Sequence, residues 1–167
     1  LQALFDKHGY AEGVIFGHAR DGNVHFVFNQ NFGDAKEVVR YKAFMDDICA
    51  MVATTYGGSL KAEHGTGRNM APFVEFEWGR AAAVLMREGK NLLDPRGVLN
   101  PGVVLNDDAE AHVNHLKPLT PAHDLIDACT ECGFCEPTCP SRNLSLTPRQ
   151  RITTFREIMR LGDPAHK

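Results

Sequence analysis

The stretch GVIFGHARDGNVHFVF, residues 13–28, limits the local fold more tightly than any other part of the 167-residue sequence. Asp21-Gly22 sits between two apolar runs, and both residue types tolerate the positive φ of a primed two-residue turn, so the segment predicts a β-hairpin. Strands are expected over 13–19 and 24–29. A two-residue loop sets Arg20 opposite Asn23, Ala19 opposite Val24 and His18 opposite His25, and a four-residue loop is expected to keep the same register. Directly opposed residues of an antiparallel pair have Cβ atoms about 4.5–5.5 Å apart on one face. Two imidazoles so placed can share one divalent cation. Spacing alone leaves two readings open: a cross-strand polar pair on a solvent face, or half of a metal site.

The rest of the first hundred residues alternates helix and extended chain. Residues 1–9 read as the end of a helix. Asp34 as N-cap, with Glu37 three residues on, opens a long amphipathic helix. Val38, Tyr41, Met45, Ile48 and Val52 recur at helical spacing, and Gly57-Gly58 closes it. SLKAEHGTGR, residues 59–68, reads as a strand leading into a glycine-flanked loop. A second helix is expected over about 72–93, stopped by Asp94-Pro95, and 97–105 is expected to be extended. Neighbours along a strand point to opposite faces. If Glu63 faces the hairpin, His64 therefore faces elsewhere unless the backbone turns at Gly65. Two histidines and one carboxylate, with positions left for water or substrate, are a donor set for a catalytic metal.

The cysteines are unevenly spread. Cys49 stands alone on an apolar helix face and reads as a buried core thiol. Cys129, Cys132, Cys135 and Cys139 crowd into eleven residues. A disulfide framework would spread them, so the pattern reads as metal chemistry in a reducing compartment. CTECGFCEPTCP is Cys-x2-Cys-x2-Cys-x3-Cys-Pro, the bacterial ferredoxin run. Zinc is the competitor, although zinc ribbons use two separated pairs. The last cysteine of such a run commonly ligates a second cluster, and residues 140–167 contain no cysteine. Thr147-Pro148 with Gln150 predicts a capped helix running to about Leu161, with Gly162 as its stop.

Residues 106–122, loose and proline-bearing, read as a linker, and His112, His115 and His123 as solvated. Net charge is −3 with both signs interspersed, which argues against the clustered basic face of a nucleic-acid binder. No apolar run approaches the roughly 20 residues of a membrane span. The expected location is cytoplasmic, with peripheral association at the inner face of the membrane as the other option. A chain that starts at Leu1 without methionine reads as a piece of a longer polypeptide.

GHARDGNVH, GGSLKAEHGTGR and LLDPRGVLNPGVVL, in this order, resemble the C-terminal substrate domain of FAD-linked oxidases. These are the D-lactate, glycolate and D-2-hydroxyglutarate dehydrogenases of the vanillyl-alcohol-oxidase superfamily, and the resemblance covers roughly 1–106. It implies that His18, His25 and Glu63 bind a divalent metal (zinc, manganese or iron) and that His64 is the base for the substrate hydroxyl. Arg68 can meet a substrate carboxylate or a flavin phosphate, or form a surface salt bridge. Asn100 can approach the flavin or serve a simple turn, and Asn23 reads only as a turn residue. Arg20 stands where the family commonly has glycine, and Thr66 where an aliphatic is usual. The helix from Pro148 is similar to the helical two-cluster ferredoxin domains of respiratory dehydrogenases. There Cys129, Cys132 and Cys135 would ligate one [4Fe-4S] cluster and Cys139 another.

The expectation is therefore an α+β fold: an antiparallel sheet with packed helices over 1–106, a linker over 107–122, and a helical iron–sulfur module over 123–167. The expected activity is FAD-dependent oxidation of a D-2-hydroxy acid. Electrons would pass through clusters to a quinone, cytochrome or protein acceptor. The flavin domain would come from the same polypeptide, and this piece alone is not expected to hold FAD. The alternative is a non-enzymatic iron–sulfur electron-transfer or zinc-binding interaction module.

Overall fold

Asp34, in extended backbone, accepts a hydrogen bond from the Lys36 N–H at 2.8 Å and starts α2, Ala35–Ala50, because a short acidic side chain satisfies one orphan donor of the first turn. Glu37 does not complete a capping box; its carboxylate pairs with Arg40 instead. The structure is a computed structural model that describes residues 1–117 and 119–162. The apolar face of α2 carries the core of the first unit. Tyr41, Phe44, Met45 and Ile48 are buried there together with Phe5 of α1, Gln2–His8, and with Tyr10. Phe5 stacks on Phe44 with ring centroids 5.5 Å apart. Cys49 is also buried, and burial pushes its thiol up to about 12, which suits an inert core residue.

The hairpin closes over this core as β1, Val14–His18, and β2, Asn23–Val27. Its register differs from the expected one: Phe16 faces His25, Gly17 faces Val24 and His18 faces Asn23. The loop holds four residues, 19–22, and it is closed by Asp21 N–H to His18 O at 3.0 Å and Gly22 N–H to Ala19 O at 3.4 Å. Only Gly22 in that loop has positive φ, at 67°, whereas the expected primed turn needs it at both central residues. A shift by two leaves every side chain on its expected face. Phe26 therefore points to Phe5 and Phe44, and His25 points the other way. Gly17 permits the pairing: a Cβ there would lie 2.2 Å from the Asn23 carbonyl oxygen.

Two further expectations are corrected. Residues 59–63 are not a strand, because the sheet contains only β1 and β2 among the described residues and offers this segment no ladder to join. Past a π-helical turn, Met51–Thr55, the chain instead turns tightly at 60–64 with Ala62 at φ 43°. Lys61 rests over the Trp78 ring at 4.1 Å. Then come α3, Gly67–Met70, a 3-10 turn, Ala71–Phe73, and α4, Val74–Leu93, broken at Gly79 (φ 77°, ψ 161°). Residues 97–105 are bends and turns rather than extended chain. The buried Asp94 carboxylate gathers them, accepting from Lys90 Nζ at 2.5 Å and from the N–H groups of Leu99 and Val98 at 2.9 and 3.0 Å. These donors, the Lys90 ammonium foremost, hold its carboxyl down at about 2.

The chain divides into two compact units, Leu1–Leu116 and Lys117–Lys167. The boundary falls inside the stretch read as linker, and residues 107–116 pack with the first unit. His112 is not solvated as expected. It is 1% exposed, lies 5.1 Å from the Phe73 ring, and neither ring nitrogen has a hydrogen-bond partner. Burial, and then the charge of Lys42, push its pKa down. The unfolded chain takes up a proton near pH 6.5 that this folded site refuses. Stability of the first unit is therefore intact above that pH and falls as pH drops below it. His112→Phe is expected to flatten the acid limb of a Tm-against-pH profile; an unchanged limb would show that His112 does not set it.

In the second unit are α5, Asp124–Asp127, and α6, Pro148–Gly162. The predicted capping box is present: Thr147 N–H donates to Gln150 Oε1 at 2.9 Å, and Gln150 N–H to Thr147 Oγ1 at 3.4 Å. Among the described residues no helix is long and apolar enough to cross a membrane.

Candidate metal centre

Alternation along β2 sends Asn23 and His25 to the face away from the aromatic core, where Phe16 stacks on the His25 ring at 5.4 Å. His18, at the end of β1, lies diagonally across from His25, with ring centroids 5.5 Å apart and planes at 86°. The turn at 60–64 delivers Glu63 onto these rings. Glu63 Oε1 is 3.5 Å from His18 Nε2, 3.3 Å from His25 Nε2 and 3.4 Å from His64 Nε2. Because this segment is a turn and not a strand, Glu63 and His64 reach the same side, and the His64 ring sits 5.2 Å from that of His25. The three proposed ligands converge: the ligand atoms of His18, His25 and Glu63 all lie within 4.8 Å of one another. His64 touches the carboxylate from outside that set.

The donor set can be tested for fit on His25. Its Nε2 is sealed from solvent, yet makes no hydrogen bond, and buried polar atoms are rarely left that way. A cation among these atoms would give the nitrogen a partner and neutralise the crowded carboxylate. Two imidazoles and one carboxylate suit zinc, manganese or iron. The site is open on one side, with the His64 side chain 72% exposed.

Arg68 and Asn100 make no polar contact with this cluster. Arg68 is exposed in α3, and its charge helps hold the Asp108 carboxyl down, behind the hydrogen bonds from Asn114 and the Glu110 N–H. Asn100 has φ 42°, and its carbonyl accepts from Val103 N–H at 3.3 Å, the geometry of a turn. Asn23 does more than serve the turn. Its Nδ2 donates to Glu63 Oε2 at 2.9 Å while its Oδ1 accepts from the His18 N–H at 2.9 Å. The available signal was its position two residues before His25, on the same strand face.

The cysteine loop belongs to the second unit. Cys132 and Cys135 are exposed, and Cys129 and Cys139 half-buried, all as free thiols. Glu131 N–H donates to Cys129 Sγ at 3.4 Å. A contact to Ser141 Oγ at 3.2 Å lowers the Cys139 pKa. Backbone N–H groups thus reach two of the four sulfurs, and among the described residues the four thiols do not converge as a metal-ligating group; only His18, His25 and Glu63 do.

A hairpin and an acidic turn thus bring two histidines to one glutamate on one side of the first unit. The chain belongs to the family described as FAD linked oxidases, C-terminal domain, whose model matches residues 1–104. It is 34% identical over 98 residues to the glycolate oxidase subunit GlcD of Bacillus subtilis (strain 168), covering 59% of this chain and 21% of that protein. It is 36% identical over 90 residues to a D-lactate dehydrogenase of Anaerostipes hadrus, covering 53% and 19%. With a D-2-hydroxyglutarate dehydrogenase of Stutzerimonas stutzeri (strain A1501) identity is 32% over 92 residues, covering 54% and 20%. The matched segment thus spans about a fifth of the length of these curated relatives. No solved structure matches the chain.

Proposed function

We propose that this chain supplies the metal and proton-transfer half of an FAD-dependent dehydrogenase acting on a D-2-hydroxy acid of the lactate, glycolate or 2-hydroxyglutarate type. The observation that carries it is the convergence of His18, His25 and Glu63 around a buried nitrogen that makes no hydrogen bond, in a chain of this family. A bound divalent ion would supply Lewis acidity toward the substrate hydroxyl and carboxylate, and a flavin held by a separate flavin-binding domain would accept hydride. His18, His25 and Glu63 hold and orient. His64 Nε2, outside the ligand set but within reach of it, accepts the hydroxyl proton, a task that a neutral imidazole performs near neutral pH. Arg68 is available to a substrate carboxylate or a flavin phosphate, and Asn100 to the flavin. Cys129, Cys132, Cys135 and Cys139 would hold iron–sulfur clusters that relay electrons to a quinone, cytochrome or protein acceptor.

Metal analysis tests this reading. Zinc, manganese or iron is expected in proportion to protein, and His18→Ala or Glu63→Ala should weaken binding by more than the roughly 10–100-fold that outer-shell partners cost. An unaltered metal content in both variants would overturn it. The chain combined with a flavin-binding domain should then reduce a dye with D-2-hydroxy acids, and His64→Ala should remove that activity while leaving the metal bound.

A further inference from the structure

We propose that Asn23 is a positioning residue that locks Glu63 onto the hairpin, leaving one carboxylate oxygen for the cation. The inference rests on the metal reading above and deepens it. One amide group spans two otherwise separate elements. Its oxygen is engaged by the His18 backbone N–H, so the amide plane is tied to the same residue that carries one imidazole. That tie orients the nitrogen toward Glu63 Oε2 at 2.9 Å. Glu63 then has one oxygen occupied, and Oε1 alone faces His18 and His25.

The chemistry favours this arrangement. A hydrogen bond donated to a carboxylate is charge-assisted and stronger than a neutral one. Glu63 itself sits on a tight turn and is half-exposed, so without the amide its side chain would be free to swing into solvent. Residue 23 pairs with His18 across the ribbon, so the positions of one imidazole and of the carboxylate are set by the same rung of the ladder. Outer-shell partners of this kind typically contribute 10–100-fold in metal affinity.

A double-mutant cycle separates positioning from a mere effect on the turn. Zn²⁺ is titrated into the intact chain, and binding is read at the imidazole resonances of His18 and His25, which report this site and not the thiols. Asn23→Ala is expected to weaken Zn²⁺ at these rings about 10-fold or more, and the loss should disappear in a Glu63→Ala background, where two imidazoles remain to be read. An equal loss in both backgrounds means Asn23 acts only through the hairpin, and no loss means it does not act; either result overturns the proposal. If Asn23→Ala loosens the ribbon, Asn23→Ser serves in its place, since it keeps an acceptor for the His18 N–H but does not reach Glu63. Rings that fail to respond to Zn²⁺ in the unaltered chain, or respond equally in Glu63→Ala, overturn the metal reading itself and Asn23's role with it.

Discussion

Phe44→Ala is expected to cost the first unit about 3–5 kcal/mol, the usual range for deleting a buried aromatic ring. Phe44 is fully buried and packs against the helix α1 and the strand β2 that carries His25. Its ring lies 5.5 Å from Phe5, 4.7 Å from Tyr10, 5.1 Å from Phe28 and 6.1 Å from Phe26. Phe26 and His25 are neighbours on opposite faces of β2, so the cavity opens directly beneath the histidines proposed to hold the metal. Domains of ordinary stability have only about 5–15 kcal/mol in total. Denaturant unfolding should therefore show an early transition, and Zn²⁺ binding at His18 and His25 should weaken with it. Phe44→Leu, which refills most of the volume, should recover much of the loss. A cost below about 1 kcal/mol, the level of a volume-conserving core swap, would mean that the aromatic cluster is not what holds the hairpin down.

Arg156→Ala is expected to destabilise the cysteine unit by about 3–5 kcal/mol, as removing one partner of a buried ion pair does. Arg156 projects from α6 and is 5% exposed. Its Nη1 donates to Glu131 Oε1 at 2.9 Å. Its Nη2 meets the carbonyls of Cys129, Ile126 and Asp127 at 3.0, 3.2 and 3.3 Å. One guanidinium thus organises the loop that presents Cys129 and Cys132, including Glu131, which is held at a left-handed φ of 61° that non-glycine residues rarely adopt. Truncation removes this donor from the Cys129 and Asp127 carbonyls, while Ile126 keeps its bond from the Cys129 N–H at 2.9 Å, and among the described residues it leaves the Glu131 carboxylate with Lys117 at 3.7 Å. Arg156→Lys should restore little, because a single ammonium cannot serve a fork of acceptors. Limited proteolysis within 126–135 and iron incorporation are the measurements. Iron loading at the level of the unaltered protein, with all four thiols present in both, would show that the loop stands without this clamp.

Nearest-neighbour patterns were legible in the sequence. That His18 and His25 share a face was legible, since face depends only on the two-residue period of a strand. Asp34 and the Thr147/Gln150 pair marked helix starts, since a cap is satisfied within one turn. The ferredoxin-like cysteine spacing and the three family motifs were visible for the same reason. What reading along the chain missed was long-range. The hairpin register turned on which loop residue takes a left-handed φ, and Gly22 alone does so. A strand at 59–63 was inferred from local character, but a strand exists only where a partner strand does. His112 stood in a polar-looking stretch and is buried by the fold of 107–116 against the first unit. The bond between Asn23 and Glu63 joins residues 40 apart.

Periodicity, caps and spacing were thus determined by the amino-acid order, because they are settled within a few residues. Register, the turn that carries Glu63 and His64 to the same side, and the clamps made by Asn23 and Arg156 were decided only by tertiary packing. Each of these depends on closing a loop and burying a face against a distant segment, and neither end of such a contact records the other.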